Sequence, residues 1–471
     1  MFVGKQTYLV KNHSQKLYLS VEFSDVIHFK IILSIFERTQ KFNLMKIILS
    51  LFLMIHCLII QAQSLTSEEL EIVDYLRNQH QNQIDFLEQT VNINSGTLNL
   101  SGVKKVGMLY KEELDNLGFE TRWVDMPEGF GRAGHLFAEL NKGSGKTILL
   151  IGHLDTVFEE DHEFQLFQNN GTSAKGPGAN DMKGGNAMII YALKALNAAG
   201  ALADKHIIVA FTGDEEKPGK PLSISRKELI EAAQKADIAL GFETASGMNF
   251  ATVARRGSSG WSLEVFGKQA HSSGVFSEST GAGAIFEMSR ILNTFYTEVK
   301  GDELLTFNPG VVLGGTQLEY DAATSKGSAF GKSNVVASKA EVHGGLRFIS
   351  EAQKERTRDK MRTIVANHLP KTSASITFTD SYPAMEPTAG NQALLNVLSQ
   401  VSLNLGYGSV KAYDPGKRGA ADISFIAQYV DGLDGLGAMG DGAHSPSETI
   451  NLETFTPLTE RAAILIHRLG L

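Results

Sequence analysis

Seven residues spread along the chain carry side chains that bind cations or move protons, each just beyond an apolar run or inside a glycine-rich loop. They are His153, Asp155, Asp181, Glu215, Glu216, Glu243 and His444. His153 and Asp155 stand two apart at a strand end, so they project from the same side of the backbone. One imidazole nitrogen can then hold a metal while a carboxylate orients the other. Alone, such a pair is more often a satisfied polar contact than a ligand. The run Asp214-Glu215-Glu216 says more, because adjacent carboxylates directly after an apolar strand repel one another unless a cation shares the site. Asp181 reads equally well as a helix cap or as a ligand, although its glycine-dense loop suits a backbone bent around a bound group. His444, flanked by glycines in the loop 439–448, adds a second imidazole. Two imidazoles with several carboxylates and no thiolate suit a two-metal hydrolytic site, with zinc the expected metal. A bridging carboxylate would hold the two ions about 3.5–4 Å apart.

These groups need a scaffold that brings strand ends together. Thr147-Ile148-Leu149-Leu150-Ile151 reads as a buried parallel strand leading to His153, Ile207 to Phe211 as one leading to Glu215, and Ala236 to Gly241 as one leading to Glu243. In open α/β sheets the crevice beyond the strand C-termini is where ligands bind. The loop 175–185 runs into an apolar helix, Asn186 to Ala199. Upstream, helices open at Ser67 behind a Thr66 cap and at Gly102, and strands follow at 119–124 and 135–140. After Glu243 the texture changes. Strand-like runs at 261–266 and 375–378 alternate with helices at 282–299 and 352–368, the pattern of an inserted α+β domain with a four-stranded antiparallel sheet and two helices. The α/β pattern resumes after Tyr382-Pro383, with helices at 391–405 and 458–469. The expected division is therefore 1–64 as an N-terminal extension with a signal peptide, 65–253 and 381–471 as two parts of one catalytic domain, and 254–380 as an inserted domain.

The 471 residues are 42% hydrophobic and 20% charged, with a net charge of −8. No basic stripe with interleaved aromatics is present, which argues against a nucleic-acid partner. Met45-Lys46, a short apolar run to Ile60 and the exit Gln61-Ala62-Gln63-Ser64 have the layout of a secretory signal peptide. That run is shorter than the roughly 20 residues of a spanning helix, so export is expected rather than membrane anchoring, with Met45 as the natural start. Cys57, the one cysteine, lies within that segment, so a mature exported chain has no thiol for catalysis or metal binding.

In order and spacing, Gly152-His153-Leu154-Asp155-Thr156-Val157, Gly176-Pro177-Gly178-Ala179-Asn180-Asp181-Met182-Lys183-Gly184-Gly185, Thr212-Gly213-Asp214-Glu215-Glu216, Phe242-Glu243 and His444-Ser445 resemble the M20 family of metallopeptidases. That group includes glutamate carboxypeptidase, aminoacylase and acetylornithine deacetylase. The resemblance covers about Ser67 to the C-terminus and implies a zinc-exopeptidase-like mixed sheet flanked by helices, with a ferredoxin-like inserted lid or dimerisation domain. It implies two zinc ions per subunit, with cobalt or manganese as substitutes: His153 and Glu243 on one, Glu216 and His444 on the other, and Asp181 bridging. It further implies that Asp155 orients His153, that Glu215 is the general base and then proton donor, and that His271 reaches the active site of a dimer partner. Asn334 and Arg347 match lid positions associated with substrate binding, and Arg418 is a further candidate for a substrate carboxylate. Two departures stand out: Gly345 replaces an acidic residue often found two before the arginine, and the loop before Asp422 is poorer in glycine and Ser/Thr. The implied reaction is carboxypeptidase or dipeptidase cleavage of an amide next to a free carboxylate in a small peptide. N-acyl-amino-acid deacylation is the alternative, and a metal-holding scaffold without catalysis is the reading against which Glu215 argues.

Overall fold

The computed structural model describes residues 6–12, 15–21 and 65–471. The signal-peptide segment expected over 45–64, with Met45 and Cys57, lies outside the described residues. Gln6–Asn12 and Gln15–Val21 pair as an antiparallel hairpin, where no element was expected. The remainder, Leu65–Leu471, forms a separate compact unit.

Its central sheet has six strands in the order Gly432–Leu433, Ile238–Gly241, Thr147–His153, His206–Thr212, His135–Asn141 and Glu120–Val124. The first four are mutually parallel, and His135–Asn141 runs antiparallel to both of its neighbours, a mixed sheet as expected. Every residue of Thr147–His153 is buried, which is why its sequence is almost continuously aliphatic rather than alternating. Helices Lys183–Ala198, Leu452–Leu469, Ser67–Asn78, His80–Val91 and Leu100–Asn116 contribute to one large apolar core with the sheet. Ser67–Asn78 opens with a full capping box in which Thr66 and Glu69 serve one another's backbone amides. The terminal helix begins six residues earlier than its apolar pattern suggests. Asn451 caps it through the Thr454 N–H, and Pro457 lies inside it.

Between Gly257 and Asp380 the chain builds a second, antiparallel sheet in the order Thr306–Gly315, Lys339–Phe348, Gly257–Gly267 and Thr372–Asp380. With helices Ala284–Thr294 and Glu351–Ala366 packed on the sheet, this is the ferredoxin-like βαββαβ arrangement, around its own core of Trp261, Leu263, Val265, Ile291, Phe295 and Val342. A polar hairpin, Gln317–Asp321 with Lys326–Phe330, projects from it and was not expected. A third, small sheet matters for the site. Gly440–Asp441 and Thr449–Asn451 form a hairpin, and the latter pairs with Ser173–Lys175, which leads directly into the glycine-rich loop.

Candidate metal centre

Three parallel strands deliver their chemistry at neighbouring C-terminal ends. His153 closes Thr147–His153, Glu215 and Glu216 follow His206–Thr212, and Glu243 follows Ile238–Gly241. The helix Lys183–Ala198 comes close enough to the last strand end that a Cβ on Gly185 would lie 2.1 Å from the Phe242 carbonyl oxygen. Only glycine permits that approach. Asp181 stands just ahead of this helix, whose N-cap is Met182. Asp181 therefore does not cap it: its Oδ1 faces His153 Nε2 at 3.3 Å and its Oδ2 faces His444 Nε2 at 3.3 Å. His444 sits at the turn of the small hairpin with φ of 63° and reaches Glu216 Oε2 at 3.0 Å. Glu243 Oε1 lies 3.5 Å from His153 Nε2. All five residues expected as ligands thus converge, with Asp181 between the two imidazoles.

Asp155, fully buried, acts on more than the histidine. The Nδ1 of His153 is closer to the Asp155 backbone carbonyl, at 2.9 Å, than to its carboxylate, at 3.5 Å. That contact leaves Nε2 facing the carboxylates. The Asp155 carboxylate itself accepts the backbone N–H groups of Glu215 at 3.0 Å and Glu216 at 3.1 Å, together with the Thr97 hydroxyl at 2.7 Å. It pins the Glu215-Glu216 turn to the histidine strand. Asp214, the first acid of the run, turns away into a buried network. It pairs with Arg226, which also meets Asp422 Oδ1 at 2.7 Å, while Asp422 Oδ2 accepts from Thr212 at 2.5 Å. Tyr382 donates to the Glu215 carbonyl at 3.0 Å from the end of the inserted unit.

The electrostatics match a cation site. Burial and then the neighbouring Glu243 push the Glu215 carboxyl well above the ordinary range. Glu243 itself is raised to about 7 by burial and Asp181. Hydrogen bonds donated by His444 to the Asp181 and Glu216 carboxylates lift its pKa to about 11. His153 also rises well above its usual value: burial opposes its charge, but Asp155 and Asp181 outweigh it. One ligand atom from each of His153, Asp181 and Glu216 lies within 4.8 Å of the others, and the same holds for His153, Glu215 and Glu243. Imidazole nitrogens and carboxylate oxygens at these separations, with no thiolate among them, form a donor set that fits hard-to-borderline divalent metals.

The remaining expected residues lie outside this cluster. His271 is exposed on the inserted unit, with Nδ1 2.8 Å from Ser273 Oγ, and it bridges to Val335 beside Asn334, whose carbonyl accepts from Ser272. Neither His271 nor Asn334 forms a hydrogen bond or ion pair with the cluster among the described residues. Arg347 and Arg418, by contrast, share a cavity of about 260 Å³ with Arg256, Lys417, Gly416 and Gly419. Arg418 donates to the Thr244 carbonyl at 3.0 Å, one residue beyond Glu243, so this cationic basin adjoins the metal cluster. Burial and the charge of Arg255 lower the Arg418 pKa. Arg256, Thr97 and Glu448 had not been singled out. The first was hidden in a basic pair, and the others act through contacts distant in sequence.

The motif for Peptidase family M20/M25/M40 matches residues 149–468. The chain belongs to the M20 peptidase family. It is 28% identical over 399 residues to carboxypeptidase G2 of Pseudomonas sp. (strain RS-16), an alignment covering 82% of this chain and 89% of that one. It is 25% identical over 365 residues to the succinyl-diaminopimelate desuccinylase of Gluconacetobacter diazotrophicus, covering 76% and 89% respectively. Its fold matches that of aminopeptidase PepT from Bacillus cereus with a TM-score of 0.66 at 18% identity, over 83% of this chain and 99% of that one. The mixed-sheet unit with its separate antiparallel sheet is the catalytic-plus-lid architecture of M20 metallopeptidases, and this chain is one of those hydrolases.

Proposed function

We propose that this M20 hydrolase is an exopeptidase that cleaves the amide bond next to a free carboxylate, with Glu215 moving the protons. One observation carries the reading. The Glu215 carboxylate is raised well above its ordinary pKa by burial and Glu243, stands within 4.8 Å of ligand atoms on His153 and Glu243, and makes no hydrogen bond or ion pair of its own among the described residues. A structural carboxylate would be tied; a base must be free to accept. His153 and Glu243 would hold one zinc, Glu216 and His444 the second, with Asp181 between them; cobalt or manganese would serve similarly. Bound there, the pair supplies positive charge that makes a water more acidic and polarises the scissile carbonyl. Glu215 takes the proton of the attacking water on a carboxylate oxygen and then delivers it to the leaving nitrogen. Asp155 holds the Glu215-Glu216 turn in register with His153 throughout.

The cationic basin supports a substrate with a free carboxylate. Arg256, Arg347, Lys417 and Arg418 converge there beside Thr244, and Arg347 and Arg418 would receive the carboxylate; Asn334 would bind substrate from the lid, and His271 would reach the active site of a dimer partner. The likeness to carboxypeptidase G2 favours this reading, whereas the likeness to a desuccinylase favours N-acyl-amino-acid deacylation on the same groups. A panel of dipeptides and N-acyl amino acids, with products identified by mass spectrometry and metal content measured alongside, separates the two. Preferential hydrolysis of the dipeptides to two free amino acids supports the exopeptidase, and preferential release of an acyl acid from the N-acyl amino acids replaces it with the deacylase.

We assign 65–253 and 381–471 to the catalytic domain and 254–380 to the lid. A homodimer would form through the lid edge, where Ile285, Phe286, Val312 and Phe330 are exposed near the outermost strand. Light scattering on purified protein tests this, and a monomer at micromolar concentration contradicts it. The segment from Met45 to Ser64 supports export to the periplasm or beyond. N-terminal sequencing of secreted protein checks it, and a mature start upstream of Met45 contradicts it.

A further inference from the structure

The loop carrying Asp181 and the loop carrying His444 are built as one unit, and a single buried side chain joins them. We propose that Glu448 is the positioning residue of the metal centre, holding the Asp181 backbone in its ligating geometry before any cation arrives. Glu448 is only 1% exposed. Its Oε2 accepts the Gly178 N–H at 3.1 Å, and its Oε1 accepts the N–H groups of Asn180 and Asp181, both at 2.9 Å. Its own backbone carbonyl takes the Gly176 N–H at 3.3 Å. Four amides of one loop therefore end on one residue, about 270 positions away in sequence. Such a loop, rich in glycine and without helix or strand bonds of its own, would otherwise leave those amides unsatisfied beneath the surface.

The same residue governs the other loop. Glu448 donates its N–H to the Ser445 carbonyl at 3.0 Å, closing the turn in which His444 adopts its positive φ. The next residue, Thr449, pairs with Lys175, just before the glycine-rich loop begins. Asp181 and His444 are thus fixed to opposite ends of one short span through Glu448. Lys183 anchors the far side. Fully buried, its Nζ donates to the carbonyls of Thr90 at 3.1 Å and Ile93 at 2.8 Å. Only a carboxylate serves all three side-chain bonds: an amide at this position would turn its NH2 toward one of the three N–H donors.

The inference rests on the proposed roles of Asp181 and His444 as ligands, and the experiment separates the two claims. Zinc is titrated into metal-free wild-type protein and into Glu448→Gln, with affinity and stoichiometry read by calorimetry or a competing chelator. Wild-type protein should take up two equivalents. Glu448→Gln should bind zinc about 10- to 100-fold more weakly, the scale of losing an outer support of a ligand, while the metal-free variant still unfolds in one cooperative transition. Two zinc ions bound by both proteins with equal affinity overturns the positioning role and leaves the ligand assignment standing. Failure of wild-type protein to bind two overturns the ligand assignment and the inference with it. If Glu448→Gln does not fold, hydrogen exchange on metal-free wild-type protein decides: slow exchange at Asn180 and Asp181 supports a clasp formed without metal, and exchange at free-loop rates refutes it.

Discussion

Replacing Asp155 with asparagine should leave the fold intact and cripple turnover, for a reason that can be worked through bond by bond. The carboxylate accepts three donors: Thr97 Oγ1 at 2.7 Å, Glu215 N–H at 3.0 Å and Glu216 N–H at 3.1 Å. Hydrogen bonds to a charged acceptor contribute about 1.5–3 kcal/mol each, and a buried donor left without an acceptor costs about 1–3 kcal/mol. Asparagine keeps one acceptor oxygen but removes the charge and turns an NH2 toward one of those donors. A net loss of about 2–4 kcal/mol falls on the segment that carries Glu215. At about 1.36 kcal/mol per tenfold in rate, kcat should drop roughly 30- to 1,000-fold. Thr97→Val removes one neutral donor and leaves both backbone bonds, so its loss should be smaller, about 1–2 kcal/mol or roughly 5- to 30-fold. The assay is steady-state hydrolysis of the best substrate from the panel, with metal content measured on the same samples. Asp155→Asn within threefold of wild type, or less impaired than Thr97→Val, would refute the claim that Asp155 holds the base in place.

Other consequences are equally concrete. Arg347→Ala should lower kcat/KM for carboxylate-bearing substrates by up to roughly 5-fold with metal content unchanged, since Arg347 is exposed and an exposed charge pair contributes about 0.2–1 kcal/mol; equal losses on substrates lacking the carboxylate contradict it. Loading zinc into metal-free protein near pH 7 should release protons, because His444 is raised to about 11 by Asp181 and Glu216 and must shed its proton to ligate. Calorimetry in buffers of different ionisation enthalpy reads the number, and a value of zero contradicts the assignment. For stability, Glu69 matters: burial would raise its pKa from 4.5, but Arg468 and the Thr66 N–H hold it below that value. A lowered folded-state pKa gives stability present above the unfolded value and lost as pH falls through the folded one. Glu69→Gln keeps the capping box yet loses the Arg468 pair, so it should melt about 1–2 kcal/mol less stably at pH 7. The gap should close as pH falls from 4.5 through the lowered value; a gap that persists in acid contradicts the charge argument.

The strand-end chemistry was legible because aliphatic runs buried on both faces stop abruptly at polar groups. His153, Glu216 and Glu243 could be placed on that ground, and the structure brings them together with Asp181 and His444. The inserted antiparallel sheet was legible from its change of period. Less was visible where the partner is a backbone amide far away. Nothing near Glu448 or Thr97 signals that their oxygens reach Asn180 or Asp155. Asp214, the first acid of the run and not among the expected site residues, pairs with Arg226, a partner twelve residues on that its own segment does not reveal. Helix His80–Val91 was missed, its apolar positions being diluted by glutamines. Pro457 marked a false start for the last helix, whose real origin is the Asn451 cap.

The role of Glu215 is tested most directly by Glu215→Gln, assayed for turnover and metal content together. The side chain keeps its size and loses only the capacity to take a proton. General acid–base contributions of this kind are worth about 10²- to 10⁴-fold, so the variant should bind as much zinc as wild type and fall in kcat by at least about 100-fold. Wild-type turnover in a fully metallated Glu215→Gln protein would contradict the account, and the proton would have to be moved by another group.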